Sequence, residues 1–145
     1  MTAPTDPFDL ERFVQAQDAG GTYDQALAEL HRGRKSSHWM WFVFPQIAGL
    51  GSSPVARRYA IGSLDEARAY LEHPVLGPRL VDCCQAALAT DTVRAEAILG
   101  SIDALKLRSS MTLFDRADPD EPVFGQVLDR FYAGRPDPAT VELLG

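Results

Sequence analysis

Leu76, Leu80, Cys84 and Leu88 recur at intervals of four. That spacing keeps side chains in one stripe of a helix, whereas a strand alternates its faces every residue. The stripe commits the middle of the chain to a helix with one buried face, and Pro74 ahead of it suits a first helical turn. Similar signals lie on both sides. Ser63-Leu64-Asp65-Glu66 fits a capping box, in which Ser63 and Glu66 each satisfy an exposed backbone amide, opening a helix to about Glu72. Thr22 can cap a helix running through Leu30, and Gly33 sits where a glycine stop belongs. Asp6-Pro7 followed by Leu10, Phe13 and Val14 resembles an earlier capped start. Asp91 or Thr92 caps a short helix ending near Gly100, and Ser101 opens the next, which carries Ile102 and Leu105 inward. A last long helix runs from about Glu121 to Ala133, with Val123, Val127, Leu128 and Phe131 inward, and the tail adds one turn.

Two stretches resist this reading. His38 to Phe44 is apolar and aromatic throughout, and its length before Pro45 fits either a buried strand or a short buried helix. Ile47 to Ser53 is a glycine-rich loop. The expectation is therefore an all-α fold: one compact multihelical domain over residues 1–145, of seven or eight helices, with little or no sheet. Its core spans about residues 8–133, and residues 134–145 form a C-terminal tail. A chain of 145 residues buries enough surface to fold without a disulfide or a metal.

Several function classes are disfavoured. The net charge is −6 and the pI about 4.9, so nucleic acid and anionic membranes meet repulsion rather than counterion release. Residues 1–10 lack the basic start and apolar stretch of a secretory signal. The apolar run Trp39–Phe44 is far short of the roughly 20 residues of a membrane helix. Cys83 and Cys84 are adjacent, too strained a spacing for a bridge and no metal framework, and read as buried thiols of a reduced, cytoplasmic protein. The three histidines show no metal-ligand spacing, and no phosphate- or dinucleotide-binding fingerprint occurs, so no metal and no cofactor are expected. The sequence sets no oligomeric state.

Three segments carry candidate chemistry. In the first, Arg32 to Gln46, Arg34 and Lys35 add to Arg32 to concentrate positive charge in an acidic chain. His38, Trp39 and Trp41 stand beside it. Charge next to indole faces suits a ring bearing a phosphate, although an aromatic run is also what a core looks like. The second is the loop Gly49-Leu50-Gly51-Ser52-Ser53, where glycines allow close backbone approach and Pro54 can start a helix. The third is Asp103 to Phe114. On one helix Asp103, Lys106 and Ser110 fall at i, i+3 and i+7, a single narrow face amid apolar residues. Charges in such a setting must be paired or share a wet cleft.

At these same residues the chain resembles a known family. Lys35-Ser36-Ser37-His38-Trp39, Phe44-Pro45-Gln46 with Gly49-Leu50-Gly51, Tyr70-Leu71-Glu72-His73-Pro74-Val75-Leu76-Gly77 with Arg79-Leu80, and Lys106 with Ser109-Ser110-Met111-Thr112-Leu113-Phe114 are similar to the domain of unknown function 1810 family. The resemblance covers about residues 8 to 133. It implies a compact, all-helical bacterial domain and supplies no catalytic residues. Some relatives carry a calpastatin label, but a compact chain lacks the repeated, disordered character of such an inhibitor.

The residues themselves favour a pocket for a small anionic or nucleotide-like metabolite, with binding and turnover both open. His38 is the acid–base candidate, because an ordinary imidazole titrates near neutrality, and Asp103 would orient water or a base. Lys35, Trp39, Gln46, Gly51, Ser53, Arg79, Lys106 and Ser110 would bind the ligand. The alternative is a non-catalytic sensor or protein-interaction module in which the same residues serve the fold.

Overall fold

The computed structural model describes residues 6–145. The helices are α1 (Glu11–Asp18), α2 (Thr22–Arg32), α3 (Met40–Val43), α4 (Pro54–Arg58), α5 (Leu64–Glu72), α6 (Leu76–Leu88), α7 (Ala95–Leu99), α8 (Ser101–Ala117), α9 (Pro122–Tyr132) and α10 (Pro138–Leu144), with a 3-10 turn over Ala19–Gly21. Seven of them have seven or more residues, and α3, α4 and α7 are turns of four or five. Among the described residues β-pairing is limited to an isolated parallel bridge between Ile47 and Ile61. No helix there is long and apolar enough to cross a membrane.

Local chemistry sets the boundaries. Ser63 Oγ accepts the Glu66 amide at 3.1 Å, and Ser53 Oγ accepts the Ala56 amide at 3.1 Å. Gly33 ends α2 at φ 76°, in the left-handed region that suits glycine. His73 Nδ1 accepts the amides of Val75 and Leu76 and so opens α6. The apolar run after His38 resolves as the short helix α3, with Met40 and Val43 buried. The tail exceeds the single turn expected of it. Asp137 Oδ2 caps α10 by accepting from the Thr140 amide and hydroxyl and also accepts from Ser109 of α8. Arg108 adds bonds to the carbonyls of Arg135 and Pro136.

The long helix α8 lies against α5, α7, α9 and α10. An aromatic ladder runs from Phe13 to Tyr70, Phe114 and Phe124, with ring centroids 5.2, 5.3 and 5.8 Å apart, tying α1, α5, α8 and α9 together. The expected inward placement of Ile102 and Leu105 is corrected: they are 71% and 66% exposed. The buried stripe of α8 is Ala104, Leu107, Met111 and Phe114. At 100° per residue that stripe leaves Ile102 on the opposite side and Leu105 well round the helix.

Arg12 is buried, and each of its five N–H groups has an acceptor. Nε donates to the Arg58 carbonyl, Nη1 to those of Phe8 and Asp9, and Nη2 to that of Ala60 and to Glu66 Oε2 at 2.8 Å. Glu66 Oε1 in turn accepts the Gly62 amide. A buried ion pair is tolerable when its remaining donors are satisfied in this way. Cys83 and Cys84 are free and buried. Burial pushes the Cys83 thiol up to about 12 and Cys84 well above its usual value. The thiolate is the reactive form, so neither thiol should react with a disulfide reagent until the protein unfolds. Titration in native buffer and in denaturant checks this.

The α5–α6 crossing depends on Gly77. A Cβ built there would lie 2.1 Å from the Leu71 carbonyl oxygen, a backbone atom that cannot swing aside. Gly77→Ala should cost about 3 kcal/mol or more in urea unfolding, at the severe end of overpacking.

Candidate functional site

The backbone after α2 is shaped by a carboxylate. Glu29 is fully buried. Its Oε1 accepts the amides of Ser36 at 2.7 Å and Ser37 at 3.0 Å and the Trp39 indole N–H at 2.9 Å; its Oε2 accepts the Ser37 hydroxyl. Burial alone raises this carboxyl, but the donors from Ser37, Ser36 and Trp39 outweigh it and hold Glu29 down to about 2. The loop is pinned again where the Lys35 amide donates to the Ile98 carbonyl at 2.7 Å. These bonds fix Lys35 and Trp39 at the edge of a cleft.

The cleft has a volume of about 450 Å³, and Lys35, His38, Trp41, Ser53, Asp103 and Lys106 are among its lining residues. Asp103 Oδ2 lies 2.9 Å from Lys35 Nζ and Oδ1 3.2 Å from Lys106 Nζ. Each ammonium also sits over an indole, Lys106 at 4.2 Å from the Trp41 ring centroid and Lys35 at 5.3 Å from that of Trp39. Two cations therefore share one anion, leaving a unit of positive charge in a half-open, aromatic-walled space. The partners of Asp103 are these lysines; His38 is an exposed residue on the rim.

A second cavity of about 230 Å³ shares Trp41 as a wall. Gln46, Gly49, Gly51, Ala56 and Arg57 are among its other lining residues. Gly51 has no room for a side chain: a Cβ there would lie 2.6 Å from Ala56 Cβ and 3.2 Å from Trp41 Cη2.

Of the residues expected to form one site, Lys35, His38, Trp39, Ser53, Asp103 and Lys106 meet around the cleft, and Gln46 and Gly51 lie next door. Trp39 is 1% exposed with its N–H taken by Glu29, so it is a wall rather than a free stacking face. Two expectations are corrected. Arg79 lines neither cavity; it pairs with Asp18 at 2.8 Å, donates to Gln17 Oε1 and covers the Tyr23 ring. Ser110 is fully buried and outside both linings; it shares the face of Asp103 but lies seven residues farther along α8. Sequence reasoning missed Glu29, whose partners lie seven to ten positions away, and undervalued Trp41, the half-buried indole common to both cavities.

The sequence matches the family described as "Protein of unknown function (DUF1810)" over residues 7–144. The chain belongs to that family. It is also similar to the conserved hypothetical protein Rv1873 from Mycobacterium tuberculosis, whose crystal structure was determined at 1.38 Å. The two are 52% identical over 96% of this chain and 98% of that one, with a TM-score of 0.92. No curated protein matches.

Glu29 yields a signed pH prediction. Its carboxyl is lowered from 4.5 to about 2 in the folded protein. The stabilisation is therefore complete above about pH 4.5 and is lost as pH falls from there toward 2. Glu29→Gln turns an amide N–H₂ toward existing donors and should cost about 2–3 kcal/mol at pH 7. The variant should lack that portion of the acid sensitivity, as read from urea unfolding at pH 7, 4.5 and 3.

Proposed function

We propose that this member of the DUF1810 family binds a small anionic, nucleotide-like metabolite in the lysine–tryptophan cleft. The observation that carries the reading is the shared carboxylate: Lys35 and Lys106 both lean on Asp103, so one positive charge has no protein partner. A phosphate or carboxylate would complete the set with charge-assisted hydrogen bonds. The cleft volume of about 450 Å³ falls in the range of roughly 300–1,000 Å³ common to small-molecule sites. Trp41 offers a ring for stacking, worth about 1–3 kcal/mol per base in other proteins. A single small anion suits a chain of net charge −6, which a polyanion would find repulsive overall.

Within this reading Asp103 positions the two ammonium groups. If turnover follows binding, His38 is the proton carrier, as it lines the cleft and has an exposed ring. The cytoplasm is the matching compartment, supported by two buried thiols left unbridged. A second reading, a protein-docking face, draws support from Ile102 and Leu105, which stand exposed on the helix that carries Asp103 and Lys106.

Thermal-shift titration with inorganic phosphate, pyrophosphate and nucleoside monophosphates separates the two. A bound probe at 100 times its Kd should add about 2.7 kcal/mol to wild-type stability. Lys106→Met should weaken that probe at least tenfold while changing stability by no more than about 1 kcal/mol, since its ion pair with Asp103 is an i,i+3 pair near the surface. No stabilisation by any of these anions would overturn the reading. Binding of a protein partner lost in Leu105→Asp but kept in Lys106→Met would favour the docking face.

A further inference from the structure

Asp103 opposes the very anion that Lys35 and Lys106 attract. All three line the cleft, and their side chains are 17%, 10% and 23% exposed in that order, so each reaches the open space while most of its surface is withdrawn from water. Each ammonium is held between an Asp103 oxygen and an indole ring. An anion that touches both ammonium groups therefore sits close to the Asp103 carboxylate as well. A second negative charge stands behind the Trp39 wall. Glu29 binds that indole N–H, is satisfied by neutral donors and keeps its charge.

This charge set discriminates between anions. The attraction of a ligand to it grows in proportion to the ligand's charge, whereas the cost of stripping water from the ligand grows as the square of that charge. With Asp103 in place the attraction comes from one surplus positive unit, in a chain of net charge −6. A second negative charge on the ligand adds more dehydration cost than the first. Beyond the ionic groups, His38 and Ser53, the lining is apolar and aromatic, with Met40, Phe42 and Val55 beside the indoles, so a second charge finds few donors. A phosphate monoester carries about −1.5 to −2 at neutral pH; a phosphodiester or a carboxylate carries a single charge. We propose that Asp103 is a specificity-determining residue: by occupying one of the two ammonium charges it selects a singly charged oxyanion, a phosphodiester or a carboxylate, over a phosphate monoester. This inference rests on the anion-binding reading given above and adds the charge class of the ligand.

The test uses three ligands that share one nucleoside: adenosine 5′-monophosphate, its phosphate methyl ester and adenosine 5′-carboxylate. Calorimetry is run at about pH 8, well above the second phosphate pKa of about 6, so that the monoester is a full dianion. On wild type at least one singly charged ligand should bind about fivefold or more tighter than the monoester, and the tighter of the two tells phosphodiester from carboxylate. In Asp103→Asn one negative charge leaves the cleft, and the logarithm of the gain scales with ligand charge. The monoester should then gain about tenfold where the singly charged ligands gain about threefold. A gain of affinity is not what loss of a merely structural carboxylate produces. Asp103 also lies in the first turn of α8, so Asp103→Ser is run beside it, and the wild-type order decides the question even if neither variant folds. A monoester that binds wild type tightest, and is lost in Lys106→Met, would overturn this inference and leave the anion site standing. Equal changes for all three ligands in Asp103→Asn would show that Asp103 only places the lysines and would also overturn it. No binding by any of the three would overturn both.

Discussion

A carboxylate buried among neutral donors is the interaction on which the candidate site depends. Glu29 accepts two amides, a hydroxyl and an indole N–H, all within the segment that leaves α2. Hydrogen bonds of this kind stabilise the ionised form without an ion pair. The physical consequence lies one residue upstream. Lys35 is adjacent to the donors but does not neutralise Glu29; it reaches Asp103 instead. Because the buried charge is satisfied by backbone and uncharged side chains, both lysines of the chain end up on one distant carboxylate. The positive surplus of the cleft follows from how the negative charge in the core is accommodated.

The rest of the scaffold keeps that geometry stiff. Asp103 and Lys106 lie on α8, whose apolar stripe is clamped by four neighbouring helices. Trp41 lies on α3, whose flanks Trp39 and Phe44 are buried. Gln17 of α1 donates to the Phe42 carbonyl and to the Tyr70 hydroxyl, which anchors that short helix to α5. Arg79, expected to face a ligand, reaches the other side of the same glutamine. Its charge ties α6 to Asp18 and Gln17 of α1. Protein interiors are dense enough that such anchors leave few alternative arrangements for the side chains they support.

The helices were legible because their signals are local. Ser63 with Glu66, Gly33, and the Leu76-to-Leu88 stripe act through neighbours within a turn or two, and each appears where expected. Much of the cleft was legible for a related reason: charged side chains embedded in apolar sequence must be paired, and Lys35, Asp103 and Lys106 pair with one another. What could not be read depended on helix phase or on distant partners. Ile102 and Leu105 look like a core pair at i, i+3, and only the register of the whole of α8 turns them outward. Glu29 looks like an ordinary solvated acid next to Leu30 until the loop folds back over it. Its face is shared with the buried Ala26, a faint signal that an acid at that position needs donors. Ser110 shares the face of Asp103 and Lys106, yet it lies one turn beyond Lys106, where α8 is covered and the cleft has ended.

Arg12 has a consequence for the order in which the molecule is made. Its acceptors include carbonyls at residues 58 and 60 and a carboxylate at residue 66, separations of 46, 48 and 54 along the chain. On a ribosome, α1 emerges long before any of them. A guanidinium without those acceptors stays in water, and α1 is too short to be a stable helix alone. The helix α1 is therefore among those sealed late, after α5 has left the exit tunnel and closed the loop behind it.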